Sequence, residues 1–251
     1  MNNARSFSHN AAAYARHRPR YPAALFDFLR EACPRHTRAW DCATGNGQAA
    51  VACARHFDFV AATDVSLEQV RHGQQHPRVA YSVASAEAIP FGAHTFDLIT
   101  VAQAIHWFDL PAFFREVERV LRPGGLLAAW AYNFPQIAPA IDAILQRELY
   151  APIDSFWAEG NRMVINRYRD LHLPYGRVPA PTDLHIRVEW TLPQFLAYLR
   201  TWSAVKRYIA ERGRDPVAHL ETALAPHWGA PEIIRLVRMR LFIKASRKPN
   251  R

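Results

Sequence analysis

Three observations in this chain of 251 residues predict an α/β fold with a doubly wound, mostly parallel sheet. From Thr37 to about Asn133, short apolar β-rich runs alternate with helical patterns, the rhythm of successive βαβ units. The first run leads into Asp41-Cys-Ala-Thr-Gly45-Asn-Gly47, a glycine-bearing turn between a strand and a helix. The second ends at an acid, Asp64, seventeen residues beyond Gly47.

The elements follow in order. Pro22 to Cys33 reads as a helix, Arg38 to Ala43 as strand one, and Gln48 to Phe57 as the helix after the glycine turn. Strand two is Phe59 to Thr63, and Ser66 is placed to cap the next helix. Val79 to Val83 and Phe96 to Val101 are strands three and four. Between Asp109 and Leu121, apolar residues fall at helical spacing, with Asp109 as N-cap and Arg122-Pro-Gly-Gly125 as the stop. Leu126 to Tyr132 is strand five. Helices broken by Pro and Gly then run from Pro135 to about Pro181. Thr182 to Trp190 and Arg235 to Lys244 alternate like strands with one buried face, and a helix from Pro193 to Ala210 lies between them. The expectation is one Rossmann-like domain over residues 1–251 with a seven-stranded sheet and an antiparallel C-terminal strand. Its parts are N-terminal cap helices (1–35), a cofactor-binding core (36–134), a helical lid or insert after strand five (135–181) and C-terminal strands and helices (182–251).

Composition narrows the class. Half the residues are hydrophobic and 21% are charged, which is ordinary for a globular protein. No run of about 18 apolar residues is present to cross a bilayer, and the first twenty residues lack the apolar stretch of a secretory signal, so a cytoplasmic protein without a membrane partner is expected. Cys33, Cys42 and Cys53 form neither a CxxC pair nor an even-numbered framework, and are expected to be buried, inert thiols. The net charge of +9 suggests nucleic acid, but the basic residues are scattered and only Lys206, Lys244 and Lys248 are lysines, so no localised footprint emerges. A small-molecule partner is the expectation, nucleic acid is not, and the oligomeric state is left open.

The turn speaks to a cofactor. Two glycines one residue apart let the backbone turn tightly and approach a ligand beneath a helix N-terminus, and an acid ending strand two is suited to ribose hydroxyls. A dinucleotide needs free N–H groups for its pyrophosphate, and a carboxylate at Asp41 would repel that group. S-adenosylmethionine carries an ammonium and a sulfonium and no phosphate, and tolerates the acid. The alternative for Asp41 is a cap on the glycine turn of a sheet without catalysis.

The residues Asp41…Gly45-Asn-Gly47, Asp64, Ala86-Glu87-Ala-Ile-Pro-Phe91, Phe96-Asp97, Gln103-Ala-Ile-His-Trp-Phe108 and Arg122-Pro-Gly-Gly125 resemble class I S-adenosylmethionine-dependent methyltransferases (the type 11 methyltransferase domain). Tyr14 to Pro22 and Thr201-Trp-Ser203 extend the similarity to the subgroup resembling trans-aconitate methyltransferase. The resemblance implies that Asp41, Gly45 and Gly47 surround the methionine part, Asp64 holds the ribose, Ala86 and Glu87 lie beside adenine, and Gln103 lines the end of strand four. It further implies that Tyr14 or Arg18 folds over the cofactor; alternatively this segment simply starts the first helix.

A sulfonium methyl is already electrophilic, so alignment and exclusion of water carry most of the work. A carboxylate acceptor needs no base, whereas a hydroxyl benefits from one, and His106, just after strand four, is the candidate. The preferred reading is that it positions substrate or packs on Trp107. Trp107 and Trp130 join His106 as expected substrate-facing residues. Strand four ends in Val101-Ala-Gln-Ala-Ile, unlike the Asp/Asn-Pro-Pro-aromatic turn resembling amino-group methyltransferases. The lid offers Trp157, Arg162, Arg167, Tyr168 and Arg169, and arginines suit an acidic substrate, although the same residues also read as solvated surface. Trp202 lies in an apolar stripe that reads first as core. No His spacing suits a metal. O-methylation of a small acidic or hydroxylated metabolite is therefore expected, with C-, N- or RNA methylation, or cofactor binding without turnover, as alternatives.

Overall fold

The central strands of the parallel half are buried on both faces, which is why their sequences read as continuous apolar runs rather than alternations, whereas the edge strand Val79–Val83 is only partly covered. The computed structural model describes residues 19–250. Helix α1 (Ala23–Ala32) precedes β1 (Arg38–Cys42), α2 (Gln48–Cys53), β2 (Phe59–Asp64), α3 (Leu67–Arg71), β3 (Val79–Val83), β4 (Phe96–Ala102), α4 (Leu110–Val120) and β5 (Leu121–Tyr132). The lid region holds α5 (Pro139–Leu145), which continues as a π-helical turn over Gln146–Tyr150, and α6 (Glu159–Ile165). Then come β6 (Gly176–Arg177), β7 (His185–Trp190), α7 (Leu192–Arg200), α8 (Ser203–Arg212), α9 (Leu220–Trp228) and β8 (Arg235–Arg247).

The strand order is β3-β2-β1-β4-β5-β8-β6, with β7 also paired to β8. Contacts from β3 to β5 are parallel, and β8 runs antiparallel to β5 and to both β6 and β7. Seven strand positions result, as expected, with β6 and β7 following one another along β8. The order reverses between β1 and β4, which opens a crevice at the carboxyl ends of those strands.

Local chemistry sets the boundaries. The Ser66 hydroxyl accepts from the Gln69 N–H, and the Asp109 carboxylate from the Ala112 N–H, capping α3 and α4 as anticipated. Between Phe96 and Arg122 the family-like motifs meet: the Arg122 guanidinium donates to Asp97 at 2.8 Å, and the Thr37 hydroxyl and Arg38 N–H donate to the same carboxylate. Several expectations need correction. The single helix over 193–210 is two, because the Thr201 hydroxyl donates to the Tyr198 carbonyl at 2.6 Å and closes α7, while Trp202 takes an extended conformation that starts α8. Helix α2 stops at Cys53, short of Phe57, and β5 begins at Leu121 rather than Leu126, with an irregular register opposite Phe96 and Leu98. Neither β6 nor α9 was anticipated.

Two apolar layers flank the sheet. One buries α1, α2 and α7–α9 around Trp130, Leu199 and Trp228; the other buries α4 around Trp40, Phe113 and Tyr168. The three cysteines are buried and free. Among the described residues no helix is long and apolar enough to cross a membrane.

Candidate active site

Strand β1 delivers its carboxyl end into the glycine turn, where Ala43, Gly45 and Gly47 all have positive φ. An added Cβ at Gly47 would lie 1.9 Å from the Tyr81 hydroxyl, so glycine is required there both for conformation and for space. The Tyr81 hydroxyl is itself held by donation to the Gln74 carbonyl at 2.7 Å.

Asp41 sits beneath this turn, 1% exposed. Its carboxylate accepts from the Thr44 hydroxyl at 2.5 Å and from the Thr100 hydroxyl at 2.7 Å. Burial pushes its pKa up to about 6, and those two hydrogen bonds only partly offset that cost. The side chain thus ties β1, β4 and the turn together from within, while its charge lies directly behind the backbone of the cradle. Neither Thr44 nor Thr100 was singled out from the sequence, since a buried hydroxyl partner has no local signature.

Asp64 ends β2 and clamps the turn from the other side. One of its oxygens accepts from the Gly45 N–H at 2.9 Å and the other from the Ser66 N–H at 2.9 Å. The Gly45 N–H is therefore already committed to a carboxylate. Beside it, Asn46 Oδ1 and Gln48 Oε1 are buried acceptors without a partner. An acceptor-rich turn of this kind suits a ligand with ammonium and hydroxyl donors and opposes a pyrophosphate.

Ala86 is buried and Glu87 half-buried in the loop after β3. The Ser85 hydroxyl donates to Glu87, which also accepts from the Asp109 N–H at 3.3 Å, so this acid holds the loop against the start of α4. Gln103, with φ of 57°, turns the chain sharply after β4; its N–H donates to the Trp130 carbonyl and its side-chain amide to the Tyr132 carbonyl.

His106 lies in a 3-10 turn, Ile105–Trp107, directly after β4. Its Nδ1 is 2.9 Å from the Tyr168 hydroxyl, and its ring is 4.8 Å from that of Trp107. Burial lowers its pKa to about 4, so the imidazole is neutral at physiological pH. Tyr168 itself is 1% exposed and reaches His106 from the lid, with φ of 53°. Helix α6 passes close enough that a Cβ on Gly160 would come within 2.5 Å of the His106 carbonyl oxygen. The lid is thus seated directly on the His106–Trp107 turn.

Other expected residues are placed differently. Trp130 is fully buried against Tyr21 and Phe26, with its indole N–H unpartnered, so it forms the wall behind the crevice rather than an open surface. Trp202 joins Phe134, Tyr150 and Trp157 in an aromatic cluster under the lid. Arg162 pairs with Asp154 at 2.8 Å at the surface. Tyr14 and Arg18 lie outside the described residues. Among the described residues no group of His, Cys, Asp and Glu is arranged to hold a metal.

Against this geometry the relatives can be set. Residues 40–129, from β1 through the greater part of β5, match the family described as methyltransferase domain. A candidate type II methyltransferase from Anaeromyxobacter dehalogenans is 39% identical and superposes with a TM-score of 0.87, covering 92% of this chain and 99% of that one. The chain belongs to the methyltransferase family. A candidate methyltransferase of Dictyostelium discoideum is 28% identical over 222 residues, 87% of this chain and 84% of its own. An uncharacterised methyltransferase of Mycobacterium tuberculosis is 37% identical over 125 residues, about half of each chain. In this methyltransferase the family match ends at residue 129, before the segment that carries Gly160 and Tyr168.

Proposed function

We propose that the chain transfers a methyl group from S-adenosylmethionine to an oxygen of a small acidic or hydroxylated acceptor. The observation that carries this reading is the acceptor-rich glycine turn: Asp41 behind it, Asp64 clamping it, and the orphaned oxygens of Asn46 and Gln48 beside it. Asn46, Gln48 and the free lone pairs of Asp64 would hold the ammonium and ribose hydroxyls, and Ala86 and Glu87 would flank the adenine. When bound, the cofactor supplies an electrophilic sulfonium methyl.

The chain's own residues then position and desolvate. Gly160 and Tyr168 bring the lid down onto the His106–Trp107 turn, which excludes water from the carboxyl edge of β4. A neutral imidazole whose conjugate acid has a pKa of about 4 is a poor base for a hydroxyl, but it can orient an acceptor by a hydrogen bond from or to Nε2. This favours an acceptor that is ionised already, a carboxylate, and gives His106 a positioning role. The subgroup resembling trans-aconitate methyltransferase belongs to the same proposal, supported by Thr201-Trp202-Ser203, whose indole lines the aromatic cluster under the lid.

The test is calorimetry with S-adenosylmethionine and S-adenosylhomocysteine, with NADH as the control ligand, on wild type, Asp64→Ala and Gly45→Val. Binding of the first two that is lost in both variants supports the reading and opens a screen of small carboxylic acids. Preference for NADH, or no binding, would overturn it.

A further inference from the structure

A second cavity, of about 550 Å³, lies away from the glycine turn, on the outer face of β8. It exists because the edge strand is interrupted. Residues 178–184, carrying Pro179 and Pro181, leave the sheet between β6 and β7, and the Val178→Ala245 and Leu184←Leu241 backbone bonds bracket the gap. Strand alternation places Arg240, Phe242, Lys244 and Ser246 on one face of β8, and the register sets Arg177 opposite Ser246 on that same face. Arg167 closes the cavity from the lid.

Four permanent cations therefore surround one bounded space, and no Asp or Glu lines it. Among the described residues no carboxylate lies within ion-pair distance of Arg167, Arg177, Arg240 or Lys244. Arg240 is held in place by donation from Nε and Nη2 to the Thr182 carbonyl, at 3.2 and 2.9 Å, which leaves Nη1 available. Among the described residues the Ser246 hydroxyl, in a residue 1% exposed, has no hydrogen-bond partner. The remaining wall is mixed, with Leu171 and Phe242 beside Asn133, His172 and Thr182. Arg167, Arg177 and Arg240 are exposed and Lys244 half-buried, so their like charges gather at the mouth of an open cavity beside an orphaned buried hydroxyl, and an anion bound there relieves their mutual repulsion.

We propose that this cavity is a second ligand site, distinct from the methyl-transfer site, for a small organic anion: a phosphomonoester or polycarboxylate with an apolar body. Its volume is within the range of small-molecule sites, and the arginine forks match phosphate and carboxylate oxygens bidentately. The partly recessed cavity and its Leu171 and Phe242 side chains favour a compact anion over nucleic acid. Phe242 packs edge-on to Tyr168 at 5.2 Å, so the site lies one aromatic layer behind His106.

Phenyl phosphate is the probe, titrated calorimetrically, with phenol and inorganic phosphate as its two halves. Saturable binding is expected, weakened about tenfold in Arg177→Ala and in Lys244→Ala, and about tenfold weaker for either half alone. S-adenosylhomocysteine affinity, measured on the same samples, should be unchanged in both variants, which shows that they are folded and separates this inference from the proposed function. The inference is overturned if phenyl phosphate does not bind, if the variants bind it as tightly as wild type, or if S-adenosylhomocysteine displaces it. It is also overturned if single-stranded RNA displaces it with far higher affinity through Arg187 and Arg238, which sit opposite each other farther along the same face.

Discussion

Replacing Asp41 by Asn should make the protein more stable at neutral pH while weakening its hold on the cofactor. The carboxyl is 1% exposed, and burial raises its pKa from 3.8 to about 6. The native state therefore binds this proton more tightly than the unfolded chain does. Its contribution to stability is whole below pH 3.8 and is lost as the pH rises through 6. The full loss is about 3 kcal/mol at pH 7.5, of which about 1 kcal/mol is already present at pH 4.5. Asn is neutral throughout and keeps one acceptor oxygen for Thr44 or Thr100, but its amide cannot accept from the other hydroxyl, which costs about 1 kcal/mol. The variant should then match wild type near pH 4.5 and exceed it by about 2 kcal/mol at pH 7.5. Urea unfolding followed by tryptophan fluorescence at the two pH values reads this directly, since titrations common to both proteins cancel in the difference. A difference that does not change with pH, or one that shrinks as pH rises, would refute the claim that Asp41 carries a buried, costly charge. Weaker binding of S-adenosylmethionine by the more stable variant would show why the charge is kept.

Three further substitutions test the same geometry. His106, neutral in the fold, contributes stability that is whole above pH 6.5 and lost as pH falls through about 4, so His106→Gln should remove about 3 kcal/mol of acid-side loss in the same unfolding assay. With a carboxylate acceptor, methyl transfer by that variant should fall less than about a hundredfold; a larger drop would mark His106 as a base. Gly160→Ala pushes a Cβ to 2.5 Å from the His106 carbonyl oxygen, so the lid must lift, with a rise in the acceptor KM and a stability loss of about 1–3 kcal/mol by thermal unfolding. Arg122→Ala leaves the Asp97 carboxylate, 2% exposed, without its cation and should cost about 3 kcal/mol, with part restored by adding Asp97→Asn.

The parallel half of the fold and the place of its cofactor turn could be read from the sequence because both are local. Apolar runs of five to seven residues, the caps at Ser66 and Asp109, and the left-handed turn at Gly47 are all set by interactions within a few residues. Once the βαβ rhythm is known, chirality and strand order bring Asp41, Asp64 and Gln103 to one edge. The lid and the C-terminal third resisted for the opposite reason. The two-residue β6 and the reach of Tyr168 to His106 depend on partners distant in sequence, and the break at Thr201 rests on one hydroxyl bond to the Tyr198 carbonyl; none leaves a periodic trace. The same is true of charge. In sequence the arginines look scattered, yet β8 alternation and one interrupted edge strand gather Arg167, Arg177, Arg240 and Lys244 around one cavity. Periodicity and spacing determined which residues form the sheet and its turn; only tertiary packing decided which side chains are desolvated, which hydroxyls restrain Asp41, and where positive charge is left without a partner.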